Sequence, residues 1–279
     1  MILDAHCHAW ARWPYQPPVP DPTRGSAANL LWEMDRAGVA RAVVICAGIG
    51  GNPANFADVV ACTEGAGDRL VPFVDLDCRW HPTHHAPGAP ARWRAALDAA
   101  PGLRGVTHYM VEDADAGWLL SEEGLACLQL LEARGLIISL AMGPSQAATV
   151  AEAARRVPHL PILLHHLGRV CVGDDAALAA VASAAQAPNL ILKLSGHGYA
   201  QEDGWDVPLP RVQAMVRALA AAFGPRRLVW GSDWPVCTRF MTYRQALEIV
   251  RTHGPDFAQE DRAAVLGGTM AALLAGWRP

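Results

Sequence analysis

Apolar residues recur along the chain in eight short runs rich in valine, isoleucine and leucine. The spacing between runs, about 25 to 40 residues, is that of a strand followed by a helix. Runs that are apolar at nearly every position are typical of strands buried on both faces, as in a parallel sheet. The pattern predicts strands over Ile2–His8, Ala42–Cys46, Leu70–Asp75, Leu103–Tyr109, Leu136–Ala141, Ile162–Leu167, Leu190–Ser195 and Leu228–Asp233.

Between these runs, apolar positions follow the period of an amphipathic helix. In the first such segment Leu30 and Met34 share one face, and Gly38 supplies a stop signal. The same pattern predicts helices over Asn29–Ala37, Ser121–Arg134, Gln146–Arg156, Asp175–Ala185, Val212–Phe223, Tyr243–Thr252 and Ala258–Ala275. The proline- and glycine-rich stretches Pro14–Gly25 and His81–Pro90 are expected to be loops.

Eight alternations of strand and helix fit either a closed barrel or a doubly wound sheet. The number of units and the lack of a dinucleotide-binding glycine fingerprint favour the (β/α)8 TIM barrel, whose usual length is about 250 residues. The chain has 279 residues, and no linker rich in proline or serine divides it. We therefore expect one α/β barrel domain over residues 1–279, with its catalytic residues at the carboxyl ends of the strands.

Composition narrows the class of partner and the compartment. Apolar residues make up 52% of the chain and charged residues 18%, and the net charge is −4 with no basic block. This balance argues against nucleic acid and membranes as partners, leaves a small-molecule substrate, and keeps a homo-oligomer open. The seven cysteines form no C-x-x-C pair, and neither a signal peptide nor a transmembrane segment is apparent. We expect reduced thiols and a cytoplasmic protein.

The first predicted strand ends in a pair of histidines, His6 and His8, with Cys7 between them. Because side chains alternate along a strand, both imidazoles should point to one side and Cys7 to the other. Two imidazoles one pleat apart at the mouth of a barrel suit either a metal ion or hydrogen bonds to a substrate oxygen. His6 and His8 are therefore candidate catalytic and metal-binding residues.

Two further strands end in residues that can carry chemistry. The sixth ends in His165 and His166, of which alternation lets only one face inward, and the eighth ends in Asp233 after a largely apolar run. A carboxylate in such surroundings is costly unless it is paired or used. At a shared mouth, Asp233 would act as a general base or metal ligand beside the histidines. The less specific interpretations are a structural histidine and a helix N-cap.

Seven segments carry a family resemblance, in order along nearly the whole chain: DAHCHAW, LLWEMDRAGVARAVVI, LRGVTHYM, LLHHLG, LILKLSG, RLVWGSDWPV and GGTMAALL. Together they resemble the amidohydrolase superfamily, in its branch of 2-pyrone-4,6-dicarboxylate lactonase-like and sugar-lactone hydrolases. The resemblance implies a distorted barrel that hydrolyses lactones or related esters. His6 and His8 match the family's first-strand pair, His166 its histidine before Leu-Gly, and Asp233 its eighth-strand aspartate.

The sequence leaves open whether the site holds a metal. The fourth strand has no lysine that could be carbamylated and the fifth has no histidine, so a binuclear centre is not expected. One divalent ion, zinc or manganese, held by His6, His8 and Asp233 with help from His166, suits this set of ligands. The resemblance also allows a metal-free site. Of the two, the site with one metal is our working prediction.

Five residues are candidates for contact with the substrate. Arg104 and His108 fall on the family's R-G-x-x-H segment, and Lys193, the only lysine, lies near the end of the seventh strand. Arginine or lysine at the mouth could bind a substrate carboxylate, although a buried ion pair or a rim position is the alternative for Lys193. Trp10 and Trp234 either wall the pocket or serve in plain packing.

Three histidines, His81, His84 and His85, follow the third strand. Their spacing would suit a second metal site on a helix, but nearby prolines such as Pro82 and Pro87 argue against a helix there. We therefore interpret the segment as a solvated or lid-like loop.

The residues and the resemblance together predict a lactone hydrolase that acts on a small carboxylated or sugar-derived lactone. In this hypothesis Asp233 activates a water molecule, while the histidines, with or without a metal, polarise the carbonyl. The alternative on the same barrel is a metal-dependent decarboxylase of an aromatic or unsaturated acid. Release of carbon dioxide without ring hydrolysis would select that alternative.

Overall fold

The computed structural model describes residues 1–111, 114–201 and 206–276, with Glu64 described by its backbone alone. Its strands are β1 (Leu3–Cys7), β2 (Arg41–Cys46), β3 (Leu70–Asp75), β4 (Gly105–Tyr109), β5 (Ile137–Ala141), β6 (Ile162–Leu164), β7 (Leu190–Leu194) and β8 (Leu228–Trp230). Each strand pairs in parallel with the next along the chain, in one eight-stranded sheet of order β1 to β8. The predicted α/β barrel is confirmed.

The sheet divides the apolar side chains into two layers. Val43, Phe73 and Ile191 belong to the cluster inside the barrel, whereas Val44 and Leu192 pack in the layer between strands and helices. This division follows from the alternation of side chains along each strand. It fixes which residues at the carboxyl ends can reach the centre of the barrel mouth.

Ten α-helices lie around the sheet and after its last strand: α1 (Ala27–Ala37), α2 (Asn55–Ala66), α3 (Ala89–Ala99), α4 (Glu122–Ala133), α5 (Ala147–Arg156), α6 (Asp175–Ala184), α7 (Pro210–Phe223), α8 (Tyr243–Arg251), α9 (Gln259–Ala263) and α10 (Thr269–Leu274), counted over the described ranges. The sequence pattern did not single out α2 and α3. In α3, Pro90 stands in the first turn, where proline is tolerated because that N–H needs no helical partner.

The predicted helix over Ala258–Ala275 is wrong in one respect, because it is interrupted. A π-helical turn, Ala264–Gly268, separates α9 from α10. At this turn Gly267 lies against the start of β1, and a Cβ atom there would come within 2.7 Å of the Leu3 nitrogen. Close contact with the barrel floor therefore replaces one continuous helix with two short ones.

Closure of the barrel between β8 and β1 depends on bonds just beyond the end of β8. The backbone N–H of Asp233 donates to the His6 carbonyl at 2.8 Å, and the His8 N–H donates to the Trp234 carbonyl at 2.6 Å. The ring is distorted here, since β8 has three residues and β1 shifts register between Asp4 and Cys7. The bonds that close the ring thus involve the residues of the candidate site.

A buried carboxylate strengthens this junction between β8 and β1, which we call the seam. Asp4 is fully buried and accepts hydrogen bonds from the backbone N–H of His6 and of Ser232, at 3.0 and 2.9 Å. The hydroxyls of Ser232 and Tyr243 donate to its other oxygen at 2.6 and 3.1 Å. Burial raises the pKa of Asp4 to about 6 despite these four donors. Asp4 therefore ties β1 to the segment after β8 and to α8.

Among the described residues, no helix combines the length and the apolarity that crossing a bilayer requires.

Replacing Asp4 should weaken the fold because two buried backbone donors would lose their acceptor. We expect Asp4→Ala to lower the free energy of unfolding in urea by about 2–4 kcal/mol, since each unsatisfied buried group costs about 1–3 kcal/mol. Asp98→Ala is the matched control, because Asp98 is an exposed partner of Arg134 and such pairs contribute about 1 kcal/mol or less. Equal losses in the two variants would contradict the role given to Asp4.

Candidate active site

The histidine pair of β1 faces the carboxylate that follows β8. The Nε2 atoms of His6 and His8 lie 3.4 and 3.5 Å from Asp233 Oδ1, and all three residues are buried. Cys7 points to the other side of the strand, where its thiol contacts the Val43 carbonyl. The alternation argument is therefore correct for both imidazoles, and the structure brings them together with Asp233.

Asp233 is held by both its backbone and its side chain. Its backbone has a left-handed φ of 57°, which is unusual for a residue other than glycine and is typical of residues constrained at functional sites. Its Oδ2 accepts a short hydrogen bond from the Tyr199 hydroxyl. Burial alone would raise the pKa of Asp233, but His166, His8 and the Tyr199 hydroxyl together outweigh it and lower the pKa. Asp233 is thus a carboxylate at neutral pH with Oδ1 turned towards the histidines.

The prediction that only one of His165 and His166 faces inward is wrong. Strand β6 ends at Leu164, and His166 has a left-handed φ of 48°, so strand alternation no longer applies. Both rings lie with their centroids 4.5 Å from the centroid of His6. The Nε2 atom of His166 lies 3.9 Å from Asp233 Oδ1, so His166 joins the site as the resemblance implied.

A further set of hydrogen bonds lies beneath the histidines of the candidate site. The Lys193 Nζ atom lies 3.0 Å from His6 Nδ1 and 2.6 Å from Ser139 Oγ, and Ser139 Oγ lies 2.6 Å from His165 Nε2. Burial lowers the pKa of Lys193 to about 7. Because Lys193 is fully buried under His6, the structure supports a role in holding His6 and not the predicted contact with a substrate carboxylate.

The two predicted tryptophans have different relations to the site. The ring of Trp10 stacks on His8 with centroids 4.5 Å apart and an angle of 13° between planes, and its Nε1–H donates to the Ala47 carbonyl at 2.8 Å. Trp234 packs in the layer between the barrel and the helices. Its backbone N–H donates to Ser232 Oγ at 2.9 Å. Trp10 therefore supports a site residue, whereas the side chain of Trp234 serves packing.

Arg104 and His108 lie outside the site, contrary to the sequence-based expectation. Arg104 is exposed just before β4, where its carbonyl accepts from the Ile137 N–H, at the opposite end of the barrel from the catalytic mouth. His108 is fully buried on the outer side of β4, 5.7 Å from the Trp93 ring of α3. On this strand the inward position at the mouth belongs to the next residue, Tyr109, whose ring lies 5.0 Å from that of His165.

Three other aromatic residues near the mouth, Tyr109, Tyr199 and Trp80, were not predicted from the sequence. The ring of Tyr199, from the segment after β7, lies 5.3 Å from that of His166, and Trp80, from the loop after β3, packs 4.8 Å from Tyr109. Alternation on β4 is a signal that would have found Tyr109. Tyr199 and Trp80 lie in irregular segments, for which the sequence pattern provides no comparable signal.

The buried donor set fits a divalent cation. His6, His8 and Asp233 each offer a ligand atom, and these atoms lie within 4.8 Å of one another. His6 Nε2 is buried with no hydrogen-bond partner in the described part of the chain. His8 Nδ1 donates to the Ile45 carbonyl, 2.8 Å away, as the outer nitrogen of metal-binding histidines commonly does, and its Nε2 is turned towards Asp233. Two imidazoles and one carboxylate are ligands that suit zinc or manganese.

Comparison with known proteins identifies the family. The sequence matches the amidohydrolase family over residues 3–275. The chain belongs to this family. A related protein from Burkholderia ambifaria, named L-fucono-1,5-lactonase, is 29% identical over 243 residues, which cover 84% of this chain and 80% of that protein.

Solved structures share the fold of this amidohydrolase. An amidohydrolase from Burkholderia multivorans with bound zinc superposes with a TM-score of 0.80 at 22% identity, over 100% of both chains. A probable 2-pyrone-4,6-dicarboxylic acid hydrolase from Acinetobacter baumannii, with citric acid bound, gives a TM-score of 0.74 at 15% identity, over 98% of this chain and 99% of that one. At these identities the likeness establishes the barrel architecture.

In this amidohydrolase, a glycine makes room for His6, the first histidine of the candidate site. Gly231 follows β8 directly, and a Cβ atom there would lie 2.7 Å from His6 Cβ and 3.0 Å from the His6 nitrogen. Contacts this short are essentially never seen for real Cβ atoms, so β1 or β8 would have to move. The position of His6 therefore requires a glycine, which has no side chain, at residue 231.

We expect Gly231→Ala to destabilise the amidohydrolase by about 1–3 kcal/mol, the usual cost of an added methyl group in a packed interior. Gly65→Ala is the control, because Gly65 lies in α2 with nothing within 4 Å of its added Cβ and should be neutral or slightly stabilising. Urea unfolding of both variants provides the measurement. If Gly231→Ala unfolds at the same urea concentration as the parent, the contact with His6 does not constrain the seam.

Proposed function

We propose that this chain hydrolyses the ring of a small carboxylated or sugar-derived lactone at the cluster of His6, His8, His166 and Asp233. The observation that carries the proposal is the convergence of three imidazoles on one carboxylate oxygen, at 3.4, 3.5 and 3.9 Å, at the barrel mouth. Family membership and the lactonase name of the Burkholderia ambifaria relative support this reaction class.

Asp233 is suited to move the proton that ring opening requires. Its lowered pKa keeps it ionised, so Oδ1 can accept a proton from the attacking water and later return it to the leaving alkoxide. The Tyr199 hydroxyl donates to Oδ2, which holds the carboxylate with Oδ1 towards the histidines. The proton is thus held at one defined atom.

The histidines are suited to stabilise the charge that forms on the carbonyl oxygen. Burial lowers the pKa of His166 to about 4 and that of His6 well below its usual value, so both remain neutral near pH 7. Neutral imidazoles can donate one hydrogen bond to an oxyanion or offer a lone pair to a metal. When bound by His6, His8 and Asp233, with help from His166, a zinc or manganese ion would supply Lewis-acid polarisation of the carbonyl.

A cytoplasmic setting is part of the proposal. All seven cysteines carry free thiols, and five of them are buried. Proteins without disulfides are typical of a reducing compartment.

A panel of lactones tests the reaction class. Sugar 1,5-lactones, muconolactones and pyrone dicarboxylates should be assayed for acid release, with and without a chelator and with zinc or manganese restored. We expect Asp233→Asn to lower kcat on the preferred lactone by roughly 10²–10⁴, the usual contribution of a catalytic base, with little change in KM.

Asp98→Asn is the matched control for this loss, because it makes the same acid-to-amide change at an exposed ion pair and should keep the parent kcat. Turnover near the parent value in Asp233→Asn would contradict the assignment of the base. Release of carbon dioxide from an unsaturated or aromatic acid, with no lactone hydrolysis, would select the decarboxylase.

Tyr199 should act on the rate and not on substrate affinity. We expect Tyr199→Phe to lower kcat by about 10- to 100-fold, because a hydrogen bond to a charged group contributes roughly 1.5–3 kcal/mol and this one orients the base. The phenyl ring would keep its edge contact with Phe240, so the unfolding midpoint should change little. A rise in KM at constant kcat would instead indicate that Tyr199 binds the substrate and does not position Asp233.

A further inference from the structure

Three histidines meet outside the barrel, away from the catalytic cluster. His84 and His85, from the loop between β3 and α3, lie beside His108 of β4, and one ligand atom of each lies within 4.8 Å of the others. The Nε2 atoms of His85 and His108 are 3.1 Å apart. His85 stacks between His84 and Trp118, with centroid distances of 3.7 and 4.2 Å.

In two of these rings, the Nδ1 atom is hydrogen-bonded to a backbone carbonyl. His108 Nδ1 lies 2.8 Å from the Leu76 carbonyl, and His84 Nδ1 lies 2.6 Å from the Asp77 carbonyl. A carbonyl can only accept, so both Nδ1 atoms donate, and in a neutral ring Nε2 is then the atom that can bind a metal. Metal-binding histidines commonly have this arrangement, in which the outer N–H is donated to a carbonyl.

The loop that carries His84 and His85 is held rigidly by one arginine. The Arg92 guanidinium of α3 donates to the Asp77 carboxylate at 2.9 Å and to the carbonyls of Thr83, Ala86 and Pro87 at 3.1, 2.8 and 2.7 Å. The Asp77 carboxylate also accepts from the Thr83 hydroxyl at 2.7 Å. These bonds fix both ends of the loop, so the backbone that carries the imidazoles is already ordered before a ligand binds.

The backbone of the same loop is strained at two residues other than glycine. Asp77 and His85 have left-handed φ values of 44° and 54°. Such conformations cost about 1–3 kcal/mol each and persist where the surroundings determine them, often at ligand sites. At residue 85 this conformation accompanies a ring whose Nε2 faces that of His108.

We propose that His84, His85 and His108 form a second metal site, of the zinc class, that fixes the β3–α3 loop. This site goes beyond the proposed lactone hydrolysis, because it uses none of the residues assigned to that reaction. The His85–His108 separation of 3.1 Å is close to the roughly 3.3 Å between two nitrogens bound to tetrahedral zinc.

The position of this site links it to the pocket through the loop. Trp80 and His81, which precede His84 in the same segment, contact the Asp75 carboxylate at 3.0 and 3.2 Å, and Trp80 packs on Tyr109. Tyr109 in turn lies against His165. A metal that tightens residues 84 and 85 would therefore hold the wall of aromatic residues beside the catalytic histidines.

Zinc titration of the chelator-treated protein, in competition with a chromophoric chelator, tests the second site. We expect the parent protein to bind about two equivalents if the catalytic cluster also binds zinc. In His84→Ala/His85→Ala, the affinity for one of the zinc equivalents should fall by roughly 10- to 100-fold or more. Removing only a residue that is hydrogen-bonded to a metal ligand already lowers metal affinity by that factor. His8→Ala/Asp233→Asn should lose only the other equivalent.

His159→Ala/His253→Ala is the matched control, because both histidines are exposed and its stoichiometry should equal that of the parent. If the double loop variant does not fold, His85→Gln, which keeps the volume of the side chain, should show the same weakening. Zinc should also slow proteolysis of the β3–α3 loop in His8→Ala/Asp233→Asn.

The proposal is overturned if His8→Ala/Asp233→Asn binds no zinc, or if the loop variants keep every equivalent of the parent. Lactone turnover is not a readout here, so the outcome is independent of the proposed hydrolysis. A single equivalent that disappears only in the loop variants would support the second site while contradicting a zinc ion at the catalytic cluster.

Discussion

The seam between the first and last strands is the constraint on which the rest of the molecule depends. Backbone bonds from Asp233 and His8 close the barrel, and the buried Asp4 carboxylate anchors both sides. The atoms that close the ring belong to residues that also form the proposed catalytic cluster. Stability and chemistry therefore share the same few bonds, and Gly231 is required because any side chain there would collide with His6.

Few of the titratable groups at the barrel mouth carry a charge. Asp233 is ionised, His6 and His166 are kept neutral by burial, and Lys193 is held beneath them with a pKa near 7. In surroundings of low polarity, hydrogen bonds are stronger and unpaired charges are costly, so each group needs a defined partner. The arrangement provides one proton acceptor and several neutral nitrogens, which is what hydrolysis of an uncharged ester group requires.

The barrel and its central histidines follow from periodicity, whereas the remainder of the site depends on irregular backbone. Strand alternation correctly orients His6 and His8, because His6 lies within β1 and His8 directly follows its last residue. It fails at His166, whose left-handed backbone begins after β6 ends. The R-G-x-x-H pattern could not show that Arg104 precedes β4 or that His108 faces the helices, since those positions depend on register. Tyr199 lies in an irregular segment whose position only the folded chain defines.

The single lysine has a consequence for how this protein can be studied. Lys193 lies in the core with none of its surface exposed, and every other basic side chain apart from the histidines is arginine. Reagents that acylate amines would therefore find no lysine accessible in the native state. Modification of this one ε-amino group would therefore report on opening of the structure around it, because the native state buries it fully.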